Sequence, residues 1–286
     1  MVKKQLKRFL IMPNYLKKET VLYATELVRY LKSKDIFAYI LSESRCDGEG
    51  NQINPRDFDI AVVLGGDGSV LFSAIYLTGS DLPVVGINFG NVGYMTECDP
   101  DESYSVIDSI LDGDYYVEQR LMIRGVIRRD GRTIKDFRAL NDAVIHRAAM
   151  NHALRLGIYI NDKPITDITA DGIILSTPTG STAYNLSAGG PVLTPTSHNF
   201  VMTPICPQFC TCSSIVTSGD DVITVKIEMG QNNYRGALLV ADGNQNFEIQ
   251  GGDLLEISAS SKKFPIIKVK DNSFYRTLQN KLSRNH

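Results

Sequence analysis

The chain has 286 residues, room for two domains of ordinary size. With 43% hydrophobic and 22% charged residues it has the composition of a globular protein. A net charge of -2 excludes the global basic field that would steer it to nucleic acid or a membrane surface.

The opening "MVKKQLKRFLIMP" carries a basic run and a short apolar stretch ending at Pro13, too short for a signal-peptide core and better read as a first strand. No run reaches the length of a bilayer span, so a cytoplasmic address with no membrane partner is expected. Helical spacing of Val21, Ala24, Leu27, Val28 and Leu31 follows, then the strand "IFAYILS". The polar segment 46–57 reads as a loop. "DIAVVL" is almost continuously apolar, as for a strand buried on both faces of a parallel sheet. It runs into Gly65-Gly66-Asp67-Gly68 and a helix expected from about Ser69. The strand "PVVGIN", the loop "FGNVGYM" and a helix over Asp99 to Leu111 complete an α/β pattern with an open, mostly parallel sheet.

Past about residue 115 the texture becomes all-β. Short strand-like segments are separated by turn signals at Asp130-Gly131, Asn161-Asp162 and "ADGN", as in sheets packed face to face. "STPTGSTAYNLSAGG" should open a short helix capped by Ser181 or Thr182. The tail "SFYRTLQNKLS" reads as a helix returning to the first domain. The expected division is an α/β nucleotide-binding domain over 1–115, joined by the tail 265–286, and a β-rich domain over 116–264. Five cysteines and no secretion signal argue for free thiols. Cys206, Cys210 and Cys212 match no common zinc spacing and have no neighbouring His, so they are read as small apolar fillers and no protein metal site is expected.

Three constellations could carry chemistry. The G-G-D-G turn sits where backbone amides approach an anion, which makes a carboxylate at Asp67 puzzling. It lacks the third glycine of the dinucleotide fingerprint, and no Gly-Lys pair exists for a P-loop. Asn141-Asp142 is either a simple turn or a donor–acceptor pair for a ribose or nucleobase edge. The segment 169–191 crowds Ser176, Thr177, Thr179, Ser181 and Thr182 around Gly180, a density of donors suited to a polar, hydroxylated ligand. His146, His152 and His198 are not at ligand spacing.

Together these segments resemble the NAD kinase family: "GGDGS" (65–69), "GINFGNVGYMT" (86–96), "LNDAVIHR" (140–147), "DGIILSTPTGSTAYNLSAGGP" (171–191), "TPICP" (203–207) and "ADG" (241–243), in family order. The resemblance implies an N-terminal α/β domain, a C-terminal β-sandwich-like domain and a site in the cleft between them. It implies transfer of the γ-phosphoryl of ATP to the adenosine 2′-hydroxyl of NAD, giving NADP, with Mg²⁺ or Mn²⁺ required. It also implies a homodimer or homotetramer, in which a neighbouring subunit can complete the NAD site.

By position, Asp67 would accept the 2′-hydroxyl proton, with Gly65, Gly66, Gly68 and Ser69 forming the phosphate loop. Gly68, Phe72, Asn141 and Asp142 would contact NAD, and His152, Thr169 and Asp171 would line its nicotinamide–ribose side. Thr182, Ala183, Tyr184, Asn185, Leu186 and Ser187 would wrap the adenine, and Asn244 stands where the family commonly has Gln. Ser69 replaces a more usual Thr, and "ICPQFC" departs from a common "ICPHSL". The alternatives are a diacylglycerol-kinase-like lipid kinase and a regulator that binds NAD(P) without turnover; the segment 171–191 argues against the first and the intact Asp67, Asn141 and Asp142 against the second.

Overall fold

The computed structural model describes residues 6–44, 52–91, 93–148, 152–208, 213–228, 236–269 and 274–283. Cys46, Cys210 and Cys212 lie outside the described residues. The chain divides into two compact units, Met1–Gln119 with Phe264–His286, and Arg120–Lys263.

From the N-terminus come β1 (Arg8–Pro13), α1 (Lys18–Ser33), β2 (Phe37–Ile40), β3 (Ile60–Gly65), α2 (Asp67–Leu77), β4 (Val84–Asn88), α3 (Ser103–Asp112) and β5 (Tyr116–Arg120). The second unit contributes β6 (Ile123–Arg129), β7 (Arg132–Ala139), β8 (Asp142–Arg147), β9 (Leu154–Ile160), β10 (Lys163–Ala170), β11 (Gly172–Ser176) and α4 (Tyr184–Ser187). It continues with β12 (Asn199–Ile205), β13 (Ile215–Ser218), β14 (Ile223–Ile227), β15 (Ala237–Ala241), β16 (Gln245–Ile249) and β17 (Leu254–Ala259). The chain then returns to the first unit with β18 (Phe264–Lys268) and α5 (Phe274–Ser283).

The first unit is built on a six-stranded sheet of order β2-β1-β3-β4-β18-β5. The pairings from β2 through β18 are parallel. Every residue of β3 and β4 is buried, which accounts for their unbroken apolar runs. Alternate residues Ile60, Val62 and Leu64 of β3 share a core with Ala24, Leu27 and Leu31 of α1 and Val106, Ile107 and Ile110 of α3. The period of two on the strand and of three to four on the helices thus meet on one sheet face. No described helix is long and apolar enough to cross a membrane.

The second unit contains two six-stranded antiparallel sheets, β10-β9-β14-β17-β6-β7 and β13-β12-β11-β8-β15-β16. Their inner faces form one core, with Ile123, Leu156, Val225 and Leu255 from the first and Ile145, Ile173, Phe200 and Leu239 from the second. This is face-to-face sheet packing. The three turn signals carry left-handed backbone: Asp130 and Gly131 (φ 50° and 74°) and Asn161 and Asp162 (50° and 62°) are two-residue turns, and Asp242 and Gly243 (49° and 70°) open a loop completed by Asn244. Positive φ at both central residues matches the right-handed twist of the flanking strands.

Three local expectations need correction. Helix α2 begins at Asp67 rather than Ser69, with Gly66 as its N-cap. Neither Ser181 nor Thr182 caps α4: the N-cap is Ala183, without a side-chain bond, because both hydroxyls donate instead to carbonyls of the preceding turn. Cys206 is exposed, at φ 46°, and so is not an apolar filler.

Candidate active site

In the first unit, the end of β3 delivers the G-G-D-G turn and α2 starts directly on its carboxylate. Asp67 is the first residue of α2, where the helix dipole favours a negative charge. Its Oδ2 accepts from the amide of Tyr94 at 2.8 Å and its Oδ1 from the amide of Met95 at 2.9 Å. The loop after β4 therefore clamps both oxygens, and the side chain remains 28% exposed. The clamp needs a glycine beside it: a Cβ on Gly93 would fall 2.3 Å from Asp67 Oδ1. Lys281 of α5 places its Nζ 3.6 Å from Oδ2 and 4.0 Å from the centroid of the Tyr94 ring. Burial, and secondarily the Asp67 charge, push the Tyr94 phenol above its usual range.

The N-terminus of α2 carries no side-chain cap; the amides of Ser69 and Val70 donate to Gly66 O at 2.9 and 3.2 Å, which leaves those of Asp67 and Gly68 to solvent or to an anion. Ser69 Oγ instead accepts from Asn14 Nδ2 at 3.2 Å. A Cβ on Gly68 would meet no described atom within 4 Å. Phe72 stands half exposed on the same helix.

In the second unit, the other motifs converge on the central strands β11, β8 and β15. Asn141 and Asp142 open β8. Asp242, in the turn after β15, accepts from the amides of Leu140 (2.8 Å), Asn141 (2.7 Å) and Asp142 (3.3 Å), and donates its own amide to Asp142 O. Both carboxyls are buried. Burial first, and the Asp242 charge second, push Asp142 up to about 7. Burial pushes Asp242 up to about 6, against the pull of its three amides. Asn141 is thereby fixed through its backbone, while its Oδ1 is buried with no partner among the described residues.

The hydroxyl-rich segment serves mainly itself. Thr177 Oγ1 donates to Leu140 O at 2.6 Å and accepts from the Gly180 amide, Ser176 Oγ donates to Thr177 O, Ser181 Oγ to Pro178 O and Thr182 Oγ1 to Thr179 O. Only Thr179 Oγ1 of the five is buried without a partner among the described residues. Asn185 is fully buried, and its amide is spent on Ser181 O, Pro191 O and Thr203 Oγ1. Tyr184 and Ser187 are exposed, and Thr182, Ala183 and Leu186 are half-buried. Asp171 pairs with Arg147 at 3.1 Å, Thr169 is half-buried and His152 is exposed. Asn244 is exposed at the end of the hairpin, and the adjacent Gln245 donates to Arg138 O.

The sequence reading missed Asp242 as a clamp and Lys281 as a neighbour of Asp67. It also did not single out Lys268, which forms a buried pair with Glu97 at 3.2 Å. Among the described residues no three His, Cys, Asp or Glu side chains converge to hold a metal ion.

The ATP-NAD kinase N-terminal domain family matches residues 9–115, and the ATP-NAD kinase C-terminal domain family matches residues 140–269. An NAD kinase of Lachnoclostridium phytofermentans is 31% identical over 96% of this chain and 99% of its own length. One of Caldanaerobacter subterraneus is 37% identical over 82% of each chain. Among solved structures, yeast NADH kinase complexed with NADH has a TM-score of 0.88 at 23% identity, covering 98% of this chain and 89% of that one. An NAD kinase from Archaeoglobus fulgidus in complex with ATP has a TM-score of 0.74 at 25% identity, covering 96% and 98%. With both halves matched and relatives above 30% identity along nearly its full length, this chain belongs to the NAD kinase family.

Proposed function

We propose that this chain transfers the γ-phosphoryl group of ATP to the 2′-hydroxyl of the adenosine ribose of NAD, yielding NADP. The observation that supports this most is the setting of Asp67. A carboxylate oxygen has two acceptor positions, and Oδ1 uses one of them for the Met95 amide. The second is available for a hydroxyl proton. The uncapped amides of α2 lie at the same turn, ready for phosphate oxygens. Phosphoryl transfer asks for little more than a positioned base beside a stabilised phosphate. The 2′-oxygen attacks the γ-phosphorus, its proton passes to Asp67 Oδ1, and the bond to the β,γ-bridging oxygen breaks, its electrons leaving with ADP.

The divalent ion implied by the family does not fit a protein cage here, since Asp67 is the sole carboxylate at the turn and is already clamped. It fits as a passenger of the triphosphate, held by phosphates and waters, as Mg²⁺ commonly is. Bound so, it would neutralise phosphate charge.

On the NAD side, the unpartnered Oδ1 of Asn141 and Oγ1 of Thr179 are placed in the same role: groups buried without a partner cost stability unless a ligand completes them. Asp142, Phe72, His152, Thr169, Asp171, Asn244, Thr182, Ala183, Tyr184, Leu186 and Ser187 complete the proposed NAD contacts, with the buried Asn185 holding their turn in shape, and Gly65, Gly66, Gly68 and Ser69 complete the phosphate loop. We assign the assembly to a homodimer or homotetramer, which light scattering distinguishes. The deciding assay incubates the chain with ATP, Mg²⁺ and NAD and reads NADP with an NADP-specific dehydrogenase. Turnover is expected; NADP binding without turnover would make the chain a regulator instead.

A further inference from the structure

A carboxylate in an anion-binding turn needs a cation between it and the phosphates, and the first unit supplies one from the far end of the chain. Lys281 Nζ lies 3.6 Å from Asp67 Oδ2, too long for a hydrogen bond and close enough for charge pairing. Its ammonium sits on the face of the Tyr94 ring, 4.0 Å from the centroid. Tyr94 also donates its amide to that same Oδ2. Phe274 packs on the other contact of the Tyr94 ring at 5.8 Å. Phe274 and Lys281 are seven residues apart, two turns of α5 and therefore on one helix face. The helix is thus registered on Tyr94 at both ends of that face, and the lysine is carried to the catalytic turn by that register. About a third of the Lys281 side chain remains exposed, so its three donors are not consumed by the protein.

We propose that Lys281 is the protein-borne cation of the phosphoryl transfer: it holds Asp67 in place through Oδ2, leaving Oδ1 for the ribose hydroxyl, and donates to the γ-phosphoryl oxygens of ATP. This assignment rests on Asp67 being the base. Lysine keeps its protons throughout; its charge offsets the repulsion between the carboxylate and the triphosphate, and that between the triphosphate and the attacking oxygen as it loses its proton. Removing one such preorganised donor typically costs two to three orders of magnitude in rate.

Lys281→Met should lower kcat/KM for ATP about 100-fold, weaken binding of a non-hydrolysable ATP analogue about tenfold, and leave KM for NAD within about twofold. Lys281→Arg, which restores the charge, should recover a large part of the loss. Tyr94→Leu keeps the amide but removes the ring under the ammonium, and should fall between the wild type and Lys281→Met. Two results overturn the proposal: kcat/KM for ATP within about threefold of wild type in Lys281→Met, or a loss shared equally by ATP and NAD, accompanied by a lower Tm and not rescued by Arg, which marks a purely structural lysine. Asp67→Asn assayed alongside separates the two readings. An inactive Asp67→Asn with a fully active Lys281→Met removes only the lysine, whereas an active Asp67→Asn removes the base and leaves the lysine to be judged by its ATP dependence alone.

Discussion

Asp67 and Asp242 are both carboxylates at tight turns, and both are clamped by backbone amides, yet their surroundings are opposite. Asp67 is partly exposed, has a lysine beside it and lies at an uncapped helix N-terminus. Asp242 is buried, accepts three amides and places its charge beside another buried carboxyl, Asp142. The first arrangement uses one acceptor position of Oδ1, for the Met95 amide, and leaves the other to the role proposed above. The second uses both positions of Oδ1 on the amides of Asn141 and Asp142 and one of Oδ2 on that of Leu140, and Asn141 Oδ1 stays buried without a partner among the described residues. A carboxylate's role is decided by how many of its acceptor positions the fold uses, and by the sign of the charge beside it.

The sharpest way to break this contrast is Asp67→Asn, expected to cut kcat by about two to four orders of magnitude in the coupled assay, with a modest fall in Tm because one of the two clamping amides loses its acceptor. Near-normal turnover would put Asp67 on the same structural footing as Asp242. Gly93→Ala should come next. Its methyl would overlap Asp67 Oδ1, and a displacement of about 1 Å at a reacting group can cost about 100-fold; steady-state kinetics with a matched thermal melt checks it.

Asp242→Ala should act on stability instead. It strands three amides, for a loss of about 2–4 kcal/mol in urea denaturation, and raises KM for NAD through the loosened Asn141. If Asp242→Ala melts like the wild type, the clamp is idle. The pH dependence sharpens the same point. Asp142 and Asp242 hold protons more tightly folded, up to about 7 and about 6, than a carboxyl does in the unfolded chain. The folded state therefore binds more protons across that window, so this pair's contribution to stability is largest at low pH and is lost as pH rises from about 4 to about 7. Calorimetry between pH 5 and 8 should show Asp142→Asn with the shallower decline; an unchanged slope would refute the assignment. The smallest effect is expected at Gly68→Ala, where the protein leaves the methyl free space. Stability should hold or rise slightly, by up to about 1 kcal/mol of helix preference, while KM for ATP rises severalfold if phosphate passes over this position.

Much of the fold was legible locally. The apolar runs of β3 and β4 announce burial on both faces, and the Asp-Gly and Asn-Asp pairs announce hairpins because few other residues accept left-handed backbone. Asp67 was legible because its turn joins a strand to a helix, a local pattern. Asp242 was read only as a turn, since its function as an acceptor exists only once β15 lies beside β8, a hundred residues earlier. Lys281 and Lys268 carried no signal for the same reason: their partners, Asp67 and Glu97, are far away in sequence. The segment 176–182 misled in the other direction. Its hydroxyls look like an array for a ligand, but four of the five are spent on neighbouring carbonyls.

The position of β18 has a consequence for biosynthesis. It enters the first sheet between β4 and β5 rather than at an edge, so a nascent chain that has emerged only through β5 holds a sheet with a missing interior plank. That gap waits for more than a hundred further residues to leave the ribosome, and α5, bringing Lys281, arrives after β18. A polypeptide terminated before β18 would then own the G-G-D-G turn yet lack both the strand that completes its platform and the ammonium beside Asp67.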